Sequence, residues 1–159
     1  MSREHLATYL NDHLAGANLA LELLDHFIAE DSAEASILVP LRKEIEEDRQ
    51  ALKALMATVG VAESRLRKAG SWFAGQLSEA KFNVDDDLNG PLRRFERLEA
   101  LSIGIEGKLA LWRALDAARG QNAALSSLDY ERLRQRASDQ RSRVEALRLQ
   151  AAGTALAIS

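Results

Sequence analysis

His13 and Asp48 are ionisable residues standing where a helical pattern calls for Leu or Ile. A polar group in a core costs free energy unless it is paired, so two facing each other would mark a site. His13 falls in the series Leu6, Leu10, His13, Ala17, Ala20, Leu24, Phe27. Asp48 falls in Leu38, Leu41, Ile45, Asp48, Leu52, Leu55, Val59. Steps of three and four are the period of one helix face. In an antiparallel hairpin turning near residues 30–33, residue 13 lies opposite roughly residue 50, so the two side chains are expected to meet. Gly16 and Ala17, one turn beyond His13, would let a partner helix approach or leave room for a ligand.

The second half repeats the anomaly. Glu99 and Glu106 fall on the side of Phe95 and Leu109, and a turn near 118–122 sets Glu106 close to Arg136. Arg136 and Gln140 also point inward or nearly so by period. Each predicted helix thus offers something polar to the axis: His13; Asp48, with Glu44 one turn earlier; Glu99 and Glu106; Arg136 or Gln140.

Four long helices must position these residues. They are expected over about 4–29, 33–59, 91–118 and 122–151, the last running through Leu125, Asp129, Leu133, Ala137, Gln140 and Val144. Asp31 and Glu34 could form a capping box for the second, and Gly60 supplies its stop. Pro40 should kink that helix or mark its true start. Residues 61–90 form a long crossover with a shorter amphipathic helix over about 62–80, followed by an acidic loop. The tail, about 152–159, either extends the last helix or frays. Short links make antiparallel neighbours, so the expected fold is all-α: two antiparallel hairpins joined by a long crossover, in one domain spanning 1–159.

Composition agrees with a globular helical chain. It has 159 residues, 47% hydrophobic and 28% charged, with few aromatics. The absence of cysteine excludes disulfides, thiolate zinc sites and cysteine nucleophiles. A net charge of −3 gives no argument for a nucleic-acid or membrane partner. No signal-like apolar run opens the chain and no stretch reaches spanning length, so a cytoplasmic protein is expected. Residues 1–60 carry five Lys/Arg against eleven Asp/Glu, while 118–159 carry seven Arg against four Asp/Glu. The acidic front half is expected to pack beside the basic last helix, since a nucleic-acid helix would want aromatic interleaving and a strongly basic domain.

With this topology and inward carboxylates, the chain resembles the ferritin-like superfamily. The resemblance implies a four-helix bundle and, in its di-iron members, a Glu from each of two helices plus a Glu-x-x-His motif from each of the other two. This chain contains no Glu-x-x-His, and its last helix offers Arg136 and Gln140 where a carboxylate would be wanted. Two readings therefore stand. One is a non-enzymatic bundle with a structural polar core, no cofactor and a partner-binding role. The other is an iron or manganese protein or oxidoreductase using His13, Glu44, Asp48, Glu99 and Glu106, a hard oxygen set with one imidazole. A homodimer remains open.

Weaker signals complete the reading. Asp85, Asp87, Asn89, Gly90 and Glu96 match the loose calcium-loop pattern, but Pro91 and Arg93 sit at ligand positions. Capping of the third helix is the simpler role. Glu22 and His26, four apart, fall on the polar side of the first helix. Gly104 and Gly107 flank Glu106 inside a helix at a cost of ~1 kcal/mol each, which suggests close approach of another backbone.

Overall fold

The periodic stretches become helices. The computed structural model describes residues 3–30, 33–64 and 90–158. Among these are α1 (Arg3–Glu30), α2 (Ala35–Thr58), α3 (Gly90–Ala118) and α4 (Tyr130–Ala155), with a 3-10 turn at Ala123–Ser127 and no strand. The crossover helix expected over 62–80 and the acidic loop lie largely outside the described residues. Residues 61–64 have no regular structure.

The helix ends follow local chemistry. Gly60 ends α2 with φ of 67°, a conformation that glycine adopts without steric cost. Its N–H bonds Ala57 O at 3.1 Å and that of Val61 bonds Met56 O at 2.8 Å, a Schellman arrangement closed by buried Val61. The start of α2 departs from the expected capping box. Glu34 occupies the cap position and makes no side-chain cap bond, and its carboxylate instead pairs with Arg94 of α3. Asp31 lies outside the described residues. Pro40 falls inside α2, five residues after its start. It is exposed, as is Ser36, so water can satisfy the carbonyl that Pro40 leaves without a donor.

The last helix starts later than its periodicity suggests. Asp129 is exposed and caps α4, its carboxylate accepting from Arg132 N at 3.1 Å. It is no core residue. A short polar side chain that can satisfy a free N–H here outweighs the period. Tyr130 behind it is buried and donates to Leu125 O at 2.5 Å, tying the 3-10 turn to the bundle. The tail extends α4 to Ala155.

Four faces meet in the order α1–α2–α4–α3, each helix touching two neighbours. Asp25–Arg42 and Asn18–Arg49 show α1 and α2 to be antiparallel. Glu99–Arg148 and Asp116–Arg134 show the same for α3 and α4, and Glu44–Arg143 and Asp48–Arg136 for α2 and α4. It follows that α2 and α3 run parallel across a diagonal. Fully buried Leu10, Leu24, Leu38, Leu41, Leu55 and Leu98 line the axis, each stabilising the fold by about 1.5–3 kcal/mol. No helix among the described residues is long and apolar enough to cross a membrane.

Candidate functional site

Asp48 is 1% exposed in the middle of α2, between Ile45 and Leu52. Its helix period leaves its carboxylate no route to solvent, so partners must come from other helices. Lys108 reaches across the diagonal from α3, its Nζ 2.5 Å from Asp48 Oδ2. Arg136 of α4 donates to Oδ1. Gln140, one turn further along α4 and wholly buried, donates Nε2 to Oδ2 at 3.1 Å, and its Oε1 accepts from Lys108. Four side chains from three helices thus close on one another.

The network continues outward. Gln140 Nε2 also lies 3.3 Å from Glu44 Oε2, which takes Arg143 as its cation. Arg136 holds half-exposed Glu47 at 3.0 Å. Burial pushes the Glu44 carboxyl up, but the Arg143 and Gln140 bonds prevail and hold it below its ordinary value. For Lys108, burial lowers the ammonium pKa and the Asp48 charge works against that; the net direction is down. Across the set the charges balance: Asp48, Glu44 and Glu47 against Lys108, Arg136 and Arg143.

His13 does not complete this network. The Asp48 oxygens are bonded by α3 and α4, whereas His13 stands on α1 with its ring edge-on to Tyr9, centroids 4.7 Å apart. Burial depresses the His13 pKa to about 4 against the opposing charge of Asp12, so the imidazole is neutral at pH 7. What His13 and Asp48 share is a cavity of about 50 Å³ between α1, α2 and α3, whose walls also include Gly16, Gly104, Lys108 and Trp112.

The remaining inward candidates lie elsewhere. Glu106 is half-exposed and pairs with Arg141 at 3.1 Å, not with Arg136. Glu99 pairs with Arg148 at 3.0 Å, and Arg148 also lies over the Phe95 ring at 5.7 Å. Both carboxylates lie along the outer α3–α4 seam, one position round the helix from the core. Glu22 and His26 are exposed. Glu96 stands on α3, while Asp85, Asp87 and Asn89 lie outside the described residues. Gly104 opens onto the cavity, and a Cβ there would meet nothing within 4 Å among the described residues; the crossover helix expected to approach it lies outside them.

Among the described residues no three His, Asp or Glu side chains gather closely enough to hold a metal ion. The group that a di-iron fold implies does not fit here. The one buried carboxylate among the described residues, Asp48, already has an ammonium and a guanidinium on its oxygens, and those cations would repel an incoming metal ion.

Lys108 is the central residue that the periodic reading passes over. It belongs to the series Leu98, Leu101, Ile105, Lys108, Trp112, Leu115, all buried except the lysine. A long stem with a charged head usually snorkels to solvent, so a lone Lys in such a series reads as surface. Asn11 is also buried: Nδ2 donates to Ala62 O at 3.1 Å and Oδ1 accepts from Ser64 N at 2.7 Å, pinning the segment after α2 onto α1.

Compared with known proteins, the chain matches no family model, no curated protein and no solved structure. Its functional reading rests on this geometry.

Proposed function

We propose that this chain is a divergent ferritin-like bundle in which a charge-balanced network replaces a metal centre, and that it acts as a non-enzymatic structural or binding module. The helix order and directions support the ferritin-like assignment: antiparallel pairs α1–α2 and α3–α4, with α2 and α3 parallel across a long connection. One observation carries the non-catalytic reading. Lys108, Arg136 and Gln140 occupy both oxygens of Asp48, the single buried carboxylate among the described residues. An acid–base or metal-bound role needs an accessible lone pair or proton, and this carboxylate is 1% exposed with cations on both oxygens. The network would fix how the two hairpins dock, because only one register lets three helices meet at Asp48.

Metal analysis after reconstitution with iron or manganese tests the reading. It predicts less than about a tenth of an equivalent bound after desalting, well short of the occupancy of a dedicated site. Stoichiometric metal that Asp48→Asn abolishes would contradict it.

A further inference from the structure

The packing of α1, α2 and α3 leaves a space of about 50 Å³ between them. Two of these helices border it with glycine. A Cβ on Gly16 of α1 or Gly104 of α3 would meet no atom within 4 Å among the described residues. Glycine inside a helix is unfavourable beside alanine, so at these two places the chain keeps room that a methyl group would take.

The wall of this space is apolar. Ala17, Leu23, Ile45, Leu52 and Leu101 contribute to it, and little of its surface is polar. The charged residues that border it spend their charges elsewhere. Lys108 gives its ammonium to Asp48 and Gln140, and Asp48 is 1% exposed. Arg49 gives its terminal nitrogens to Asn18 and Glu46. The unpaired Arg49 Nε and Trp112 Nε1 are shut off even from a molecule the size of water, so neither offers an occupant a bond. Ordered water needs roughly two to four polar partners, and so little polar wall does not supply them. An apolar guest needs none, and it restores the dispersion contacts that an empty space forfeits.

Size sets the other limit. An apolar cavity of roughly 150 Å³ holds benzene, or about 25 Å³ for each carbon atom. On that scale this space holds about two heavy atoms. We infer that it binds an uncharged, apolar gas of one or two heavy atoms, the size class of dioxygen. His13 borders both this space and the open groove along α3 at Ile103, Gly107 and Ala110, so the route from solvent runs past its ring. The inference goes beyond the structural role of the Asp48 network and rests on the cavity wall.

The test is methyl NMR of the whole chain under xenon, and then under dioxygen, at several bar. Xenon should shift the methyl resonances of Leu23, Leu52 and Leu101 along saturating curves. Those of Leu38 and Val144, buried but not on this wall, should move several-fold less. Dioxygen is paramagnetic and should broaden the same cavity methyls several-fold more than the two controls. Gly16→Ala combined with Gly104→Ala adds two carbon atoms to the space and should abolish both responses. Gly104→Ala alone should weaken them, and it serves if the double variant does not fold. Equal responses at cavity and control methyls, no response, or an undiminished response in the alanine variants would overturn the inference. So would water-to-methyl cross-relaxation at Leu52 and Leu101 that persists under saturating xenon, which would make water the occupant.

Discussion

Two seams of this bundle solve the burial problem in opposite ways. Where α2, α3 and α4 meet, polar groups are buried and most of their hydrogen-bonding capacity is matched: Asp48, Lys108, Arg136 and Gln140. Where α1 faces α3, the wall is apolar and glycine-rich, space is left, and donors such as Trp112 Nε1 lack partners. The first seam gains specificity from a network closed but for the buried Arg136 Nε–H, which has no hydrogen-bond partner. The second has slack. The difference teaches that a buried charge is weak evidence for a site when its partners are in place.

The comparison can be broken most sharply at Asp48. Asp48→Ala leaves Lys108 and Arg136 buried without their carboxylate and should cost about 3–5 kcal/mol. Urea unfolding measures it, and a loss within about 0.5 kcal/mol, as for a surface change, would mean the network is wet or absent.

His13 gives the next largest effect, through pH. Its folded pKa of about 4 lies below the ordinary 6.5, so the folded state favours the neutral ring. The unfolded chain then binds more protons in that window, so stability is full above pH 6.5 and is lost as pH falls toward 4. The loss attributable to this residue should be about 2 kcal/mol, discounted because the ring is not fully buried. The difference between wild type and His13→Leu across that range isolates it from carboxylate titration. Identical pH profiles would show that His13 is solvated.

At the slack seam, Gly104→Ala and Gly16→Ala should each stabilise by about 0.5–1 kcal/mol, since helix propensity improves and the new Cβ meets nothing within 4 Å among the described residues. A fall in Tm for either would show that the space is already taken. The smallest effect belongs to the outer ladder. Glu106→Gln, which breaks the half-exposed pair with Arg141, should change stability by less than about 1 kcal/mol and less still in high salt.

Much of the fold was legible in the sequence because Leu and Ala recur at helical spacing and Gly60 and Pro91 punctuate the chain. The inward places of Asp48 and Gln140 were legible for the same reason. Their partners were not. Helix α3 is buried over a broad arc, on Leu98, Ala100, Leu101, Ser102, Ile105, Leu109, Leu111 and Trp112. A face that wide admits more than one register. Counting through Ser102 and Leu109 draws Glu106 inward, whereas counting through Leu101 and Ile105 draws in Lys108. One position of helix phase therefore exchanged the predicted acid for the observed cation. Arg136 was placed inward correctly but assigned to Glu106, because pairing between hairpins depends on packing that no local pattern encodes. The start of α4 failed for a different reason: Asp129 fits the period, but the bond it makes as a cap decided its place.

The most direct test of the account is a double-mutant cycle between Asp48 and Lys108, read by urea unfolding. If the buried carboxylate exists to be closed by the lysine, Asp48→Ala with Lys108→Met should be less damaging than the sum of the two single changes by about 1–3 kcal/mol. Additivity within about 0.5 kcal/mol would contradict the closed network at the centre of this account.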